Sequence, residues 1–257
     1  MAFRGRGRRG RSGGSPGGDD TGGGYNYHPS PYITTLKFLL PHGITGSFIG
    51  TSGVAISSLK EMTGARVMVS SAEDVFPSTM ERIIVVSGTA EQLMAVNALI
   101  WHLLANNFDA SGKGVRADVW SPTVAIEEAR CGVHDDVHCS GRLTVPAAAA
   151  GLLLGRNGDT IRAISDESGA RVSMGKKDDH TIAETQERVM TVTGPKGCCV
   201  RAVARVIAKL SGDPTVAQYT HLGSSYGRDG GGGVDSFGQV RTLCPALPLS
   251  SAPCPVL

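Results

Sequence analysis

The sequence has few aromatic residues and no long apolar run. Phe, Trp and Tyr make up 5% of its 257 residues. An RNA-binding sheet of the RRM class needs aromatic side chains on its strands, whereas the strands predicted here carry Val, Ile and Met, which excludes that class. No apolar run approaches the roughly 18 residues that span a bilayer, and no apolar stretch typical of a signal peptide follows the basic N-terminus. We therefore expect an intracellular protein without a membrane partner.

Metal and enzyme motifs are also lacking. The six cysteines show no spacing typical of a disulfide framework. Cys131, His134, His138 and Cys139 lie close together in the chain, but two adjacent ligands fit a closed tetrahedral zinc site poorly. The sequence contains neither a P-loop nor the Gly-x-Gly-x-x-Gly motif of dinucleotide-binding folds. We expect no metal, no cofactor and no catalytic activity.

A Gly-x-x-Gly turn occurs twice, at Gly50-Thr51-Ser52-Gly53 and at Gly155-Arg156-Asn157-Gly158. Each copy follows an apolar pair and precedes a run with one apolar helical face. Glycines on both sides of two open positions let backbone amides approach a ligand without interference from a Cβ atom. Such a turn between two helices favours a phosphate chain over an apolar ligand.

The residues around these turns also repeat, in the same order and spacing. The matched residues of the first copy are Pro41, Gly46, Ile56, Gly64, Ala65, Arg66, Val67, Glu81, Arg82, Val86 and Gly88, and those of the second are Pro146, Gly151, Ile161, Gly169, Ala170, Arg171, Val172, Glu187, Arg188, Val192 and Gly194. One inserted residue before Glu187 shifts the last four pairs. This self-similarity indicates two copies of one domain, each with the element order β-α-α-β-β-α.

The composition divides the chain into five parts. We predict a disordered Arg/Gly-rich tail at 1–31, a first domain at 32–107, a flexible linker at 108–139, a second domain at 140–212 and a disordered tail at 213–257. The net charge of +2 conceals the clustering of arginine in the first tail. Segments of this kind contact nucleic acids through charge and guanidinium stacking, with little sequence preference.

Both domains resemble type I KH domains, and are most similar to those of the Nova and poly(C)-binding protein group, which includes heterogeneous nuclear ribonucleoprotein K. The stretches that carry this resemblance are 46–53, 63–67, 76–82 and 186–189. The resemblance implies an α+β fold in which a three-stranded antiparallel sheet is backed by three helices. It also implies a groove for single-stranded nucleic acid between the glycine turn and the variable loop, the segment between the second and third strands of each domain.

The candidate RNA-binding residues are the two turns, the aliphatic side chains of the groove floor and four strand arginines: Gly50, Thr51, Ser52, Gly53, Val54, Arg66, Val67, Arg82, Gly155, Arg156, Asn157, Gly158, Arg171, Val172 and Arg188. A KH groove holds about four nucleotides against such a floor. In the resembled family, arginines at matching positions contact cytosine, which implies a preference for pyrimidines. The first turn lacks a basic residue, so we expect the second domain to supply more of the affinity.

These observations predict a protein that binds short, pyrimidine-rich single-stranded RNA and regulates pre-mRNA splicing, mRNA stability or translation. We expect it in the nucleus and the cytoplasm, with other ribonucleoprotein components as further partners. Two alternatives stay open: binding of single-stranded DNA, and a protein-interaction scaffold built on KH domains. Relative affinity for matched RNA and DNA distinguishes the first alternative, and a groove that binds neither favours the second.

Overall fold

The computed structural model describes residues 34–107, 120–176, 182, 185–213 and 216. The predicted tail at 1–31 and nearly all of the predicted tail at 213–257 lie outside the described residues, as does the first part of the predicted linker.

The first domain has the predicted order of elements. They are β1 (Thr34–Pro41), α1 (His42–Ile49), a 3₁₀ turn (Thr51–Gly53), α2 (Val54–Thr63), β2 (Arg66–Val69), β3 (Glu81–Gly88) and α3 (Ala90–Asn107). Helix α2 ends at Gly64, whose left-handed φ of 67° lets its amide donate to the Lys60 carbonyl. Reciprocal hydrogen bonds between Thr89 and Gln92 cap the start of α3.

The predicted linker contains a helix, α4 (Pro122–Arg130). Proline at its first position suits a helix start, because the N–H that it lacks would have no partner there. Helix α4 packs on α2 and α3 of the first domain. Just before it, the Trp120 ring stacks on the Phe48 ring of α1, with centroids 6.0 Å apart. This part of the linker therefore lies on the first domain, whereas Asp135 and Val137 bond to the first residues of the last helix of the second.

The second domain repeats the order of the first. Its elements are β4 (His138–Pro146), α5 (Ala150–Leu154), a 3₁₀ turn (Arg156–Gly158), α6 (Asp159–Ser168), β5 (Arg171–Met174), β6 (Glu187–Pro195) and α7 (Lys196–Ser211).

The two domains share one antiparallel sheet of six strands, in the order β2-β3-β1-β4-β6-β5. Strands β1 and β4 join them by pairing Lys37 with Thr144, Phe38 with Leu143 and Leu39 with Arg142. Phe38 and Leu143 occupy equivalent positions in the two repeats, so an internal two-fold axis passes between them. The expected three-stranded sheets are thus the halves of a continuous sheet. The described part of the chain does not form two independent modules.

We call the junction between β1 and β4 the seam. Two ion pairs cross it, and their residues occupy equivalent positions in the two repeats. Lys37 donates to Glu187 Oε1 over 2.6 Å, and Arg142 donates through Nη2 to Glu81 Oε1 over 2.8 Å. The Lys37 and Glu187 side chains are only 2% and 3% exposed. Burial lowers the pKa of Lys37, and the nearby Glu187 carboxylate opposes that shift.

The helices cover one face of the sheet, which we call the helix face. One apolar core lies between this face and the helices and runs through both domains. A smaller cluster lies on the opposite face and contains Leu39, Phe76, Ile83 and Val85. Within the described ranges, no helix has both the length and the apolar character needed to cross a membrane.

Candidate nucleic-acid interface

The two glycine turns have nearly the same backbone conformation. Three of the four positions in each turn have positive φ angles: Gly50 at 74°, Ser52 at 52° and Gly53 at 80°, and Gly155 at 71°, Asn157 at 52° and Gly158 at 82°. Positive φ is easy for glycine and is adopted by Ser and Asn at a modest cost. The repeated sequence therefore produces a repeated shape at the start of α2 and of α6.

The first glycine of each turn also lies against the helix that follows. A Cβ atom at Gly50 would lie 2.6 Å from the Cβ of Ala55, and one at Gly155 would lie 2.8 Å from the Cβ of Thr160. The last glycine of the first turn has nothing within 4 Å of such an atom. The first glycine is therefore required by both backbone conformation and space, and the last by conformation alone.

The middle residues of both turns are exposed at the N-terminal end of a helix, where the helix dipole favours an anion. Thr51 and Ser52 offer only hydroxyl groups there, whereas Arg156 offers a guanidinium group. Within the described residues, Arg156 forms no ion pair with an acidic side chain. The second turn thus places a cation at a helix N-terminus, and the first turn does not.

The predicted aliphatic floor is only partly at the surface. Val54, directly after the first turn, is 66% exposed. Val67 and Val172 lie in the core at 2% and 9% exposure. Direct contact between these two buried side chains and a ligand remains a prediction, and their visible structural role is to pack the helices on the edge strands.

Arg82 and Arg188 make equivalent contacts at the beginning of the variable loops. Arg82 donates through Nε to the Ser70 carbonyl over 3.1 Å and also through Nη2, and Arg188 donates through Nη2 to the Gly175 carbonyl. Burial lowers the pKa of Arg82, although an arginine stays protonated at neutral pH. A guanidinium group has five N–H donors, so each arginine can hold its loop and still offer donors to a ligand.

Arg66 and Arg171 lie on the other face of the sheet. They precede the core residues Val67 and Val172 in β2 and β5, and successive side chains of a strand point to opposite faces. Both are exposed on strands at the edges of the sheet. The structure therefore places the two strand arginines of each domain on opposite faces.

Comparison with known proteins identifies these domains. A family model described as the KH domain matches residues 35–101 and 140–208. The chain belongs to the KH domain family. The resemblance to type I KH domains seen in the sequence is confirmed.

Two relatives and one solved structure show the extent of the similarity. The RNA-binding protein Nova-2 of Homo sapiens is 34% identical over 179 residues, which cover 70% of this chain and 35% of the relative. The RNA-binding protein Pasilla of Drosophila melanogaster is 31% identical over 179 residues, 70% of this chain and 21% of the relative. The chain thus spans about a third or less of these relatives. Dim2p from Pyrococcus horikoshii OT3 is 14% identical with a TM-score of 0.27, and the match covers 72% of this chain and 97% of that one.

Met80, in the variable loop of the first KH domain, is a further candidate contact residue that sequence reasoning missed. Ser70 donates to the Asp74 carbonyl, and Phe76 is fully buried in the smaller cluster, so the first half of the loop is fixed. Met80 of this loop is 80% exposed. An apolar residue within a polar loop was the available signal. Met80 lies two residues before Arg82, at the predicted border of the groove.

Proposed function

We propose that this chain binds single-stranded RNA through two KH grooves, one in each domain, and that it acts by occupying RNA without chemical reaction. The observation that carries this proposal is the pair of glycine turns with nearly the same backbone conformation, each with its middle residues exposed at a helix N-terminus. A KH turn of this kind holds the nucleic-acid backbone. The names of Nova-2 and Pasilla describe RNA-binding proteins, which supports the same function.

The proposed ligand is rich in pyrimidines. Arg82 and Arg188 offer guanidinium donors beside the variable loops, while Arg66 and Arg171 offer them at the sheet edges. Such donors match the acceptors on the Watson–Crick edge of cytosine, its O2 and N3 atoms. The repetition of both arginines in both domains supports a role in binding.

The second domain is proposed to supply more of the affinity. Its turn carries Arg156, whereas the first turn carries Thr51 and Ser52. Each phosphate contact from a basic side chain releases counterions, so its loss reduces both the affinity and the dependence of the affinity on salt. The proposed biological role is regulation of pre-mRNA splicing, mRNA stability or translation, in the nucleus and the cytoplasm.

Selection from randomised single-stranded RNA with the full chain tests the proposal. We compare the wild type with Arg156→Asp/Asn157→Asp, and use Thr51→Asp/Ser52→Asp as the matched variant of the first turn. The wild type should enrich a short pyrimidine-rich motif, and the second-turn variant should lose most of this enrichment. A weaker effect is expected from the first-turn variant.

Two further results decide between the alternatives. Equal affinity for a DNA oligonucleotide of the enriched sequence would contradict a preference for RNA. Enrichment that is unchanged in both turn variants would mean that RNA binds outside the two grooves. No enrichment at all by the wild type would favour the scaffold alternative.

A further inference from the structure

A pocket lies at the seam between the two domains, on the face opposite the helices. Pairing of β1 with β4 stops at Leu39 and Arg142, and beyond this point the two strands diverge. The gap between them forms a cavity of about 380 Å³ that reaches down to Leu104 of α3. Leu39, Pro41 and Leu104 supply apolar lining. A cavity of this volume is large enough for a small organic group.

Glu81, one of the residues that line this pocket, has a side-chain oxygen without a partner among the described residues. Oε1 of Glu81 accepts hydrogen bonds from Arg142 Nε over 3.0 Å and Nη2 over 2.8 Å. The Oε2 atom of the same carboxylate is buried, and nothing in the described part of the chain donates to it. The Glu81 side chain is 10% exposed, and burial raises its pKa. A buried acceptor without a donor destabilises the folded chain, so binding of a ligand that donates to it is favoured.

The equivalent carboxylate of the second domain shows what Glu81 lacks. Glu187 accepts from Lys37 through Oε1, and from the Thr144 hydroxyl through Oε2 over 2.6 Å. In the internal repeat, Leu39 corresponds to Thr144. The hydroxyl group of Thr144 donates to Glu187, whereas Leu39 has no group that could donate to Glu81. Of these two carboxylates, Glu81 is therefore the one with an oxygen that has no donor within the described residues.

The charges of the pocket indicate the kind of donor. Arg142 already balances the Glu81 carboxylate, so a second cation would be repelled by its guanidinium group, whereas a neutral N–H group would not. Arg142 is 41% exposed and can donate to an acceptor next to that N–H group. Apolar walls, an acceptor and a neighbouring donor fit a flat heterocycle that carries an N–H donor beside an oxygen or nitrogen acceptor. Every nucleobase has such an edge.

A polar row connects the pocket with the edge of the second domain. Arg171 of β5 pairs with Thr193 of β6, and Thr193 pairs with Ser140 of β4 at the rim of the pocket. All three residues are exposed, and the Ser140 and Thr193 hydroxyl groups are 3.0 Å apart. An RNA strand leaving the second groove past Arg171 would follow this row toward the pocket.

We propose that the seam pocket takes one nucleobase of an RNA strand whose neighbouring nucleotides occupy the second groove. The base edge donates to Glu81 and accepts from Arg142, while its ring lies against Leu39, Pro41 and Leu104. This inference rests on the proposed RNA binding and adds a contact outside the two KH grooves. The distance supports it, since the pocket lies between two and three strand spacings from β5, or about 12 Å.

The test uses the full chain and two pyrimidine-rich RNAs of equal length. One has a uridine flank beside the tract that binds the groove, and the other has abasic nucleotides in that flank. The abasic flank cannot form the hydrogen bonds to Glu81 and Arg142 or the apolar contacts of the pocket, so the wild type should bind the abasic RNA about tenfold more weakly. Glu81→Gln presents an amide N–H₂ group to the pocket in place of the acceptor, and should bind both RNAs about equally. The double variant Lys37→Met/Glu187→Gln, changed at the equivalent ion pair away from the pocket, leaves no unpaired buried charge and should keep the tenfold difference.

Cross-linking of 4-thiouridine placed in the flank provides a second measurement, since it does not depend on a variant. The cross-link should map to the β4 segment that contains Ser140 and Arg142. Equal binding of the two RNAs by the wild type, or a tenfold difference that persists in Glu81→Gln, would overturn the pocket proposal and leave the RNA-binding proposal intact. A cross-link found only at the glycine turns would also overturn it. Binding of neither RNA would contradict the proposed function itself.

Discussion

The first glycine of each turn is confined by the helix that follows it. Gly155 has φ 71° and ψ −175°, a combination that residues with a Cβ atom rarely adopt, and Thr160 fills the space where that Cβ would lie. Gly158 also has positive φ, but the nearest atom to a Cβ there is 3.9 Å away. The two glycines of one motif are therefore constrained to different degrees.

Gly155→Ala should lower the free energy of unfolding by about 3 kcal/mol, because backbone strain and overpacking add. Gly158→Ala, the matched control, should cost about 1–2 kcal/mol, because only the left-handed backbone is strained. Urea unfolding of the full chain measures both values. Equal losses would contradict the difference in space that the structure shows.

At the same scale, the sequence proposed candidate residues for the site but did not predict the directions of their side chains. The repeat identified the glycine turns and the four strand arginines. It did not reveal that Arg66 and Arg82 lie on opposite faces, because the face depends on the register of β2 against β3. Arg82 donates to the backbone carbonyl of Ser70. Every residue has such a carbonyl, so a sequence pattern cannot predict this contact.

Among the elements, α4 is the one that the sequence did not predict. Its segment shows no sustained apolar period, and its main helix signal is Pro122, because proline is favoured at a helix start. The six elements of each KH domain were predicted correctly, because each has a local signal in its apolar period or its glycine ends. What holds α4 in place is tertiary: Trp120 stacks on Phe48, and Ala125 is buried.

Trp120→Ala should destabilise the chain by about 3–5 kcal/mol, the usual cost of removing a large buried ring. The Trp120 side chain is 6% exposed and lies against the helix that leads into the first glycine turn. Val124→Ala on the same segment serves as the control, since this 54% exposed residue should cost less than about 0.5 kcal/mol. Thermal or urea unfolding distinguishes them. A Trp120→Ala chain as stable as the wild type would mean that α4 does not support the first domain.

At the scale of the whole molecule, the continuous six-stranded sheet determines how the two domains are arranged. A local sign of this arrangement is Lys37, a charged residue within an otherwise apolar strand, whose partner Glu187 is far away in the chain. Long-range pairing of this kind cannot be recognised from local periodicity. The consequence is that β2 and β5, the strands that border the two proposed grooves, form opposite edges of one sheet and are related by the internal two-fold axis.

Lys37→Met should destabilise the chain by about 3–5 kcal/mol, because it leaves the Glu187 carboxylate buried without its cation. The double variant Lys37→Met/Glu187→Gln should recover most of this loss, since it removes the remaining charge and keeps an acceptor for Thr144. Urea unfolding of the two variants measures the coupling. If both variants are equally unstable, the ion pair is not what stabilises the seam.

The spacing of the grooves predicts a length requirement for RNA. The edge strands β2 and β5 are five strand spacings apart, about 24 Å. Stacked nucleotides rise about 3.4 Å each, so a strand needs about seven of them to cross, and more to reverse its direction as the two-fold axis requires. An RNA with two binding tracts should gain about tenfold or more in affinity only when its spacer exceeds this length. Full gain with a spacer of about two nucleotides would contradict the rigid arrangement.

The most direct test of RNA binding through the glycine turns is the affinity of the full chain for one pyrimidine-rich RNA, compared with a variant that has Asp at Thr51, Ser52, Arg156 and Asn157. All four positions are exposed, so the variant should unfold at nearly the wild-type urea concentration. The account predicts at least a hundredfold loss of affinity and a weaker dependence on salt. Unchanged affinity in the folded variant would contradict it and place RNA binding elsewhere in the chain.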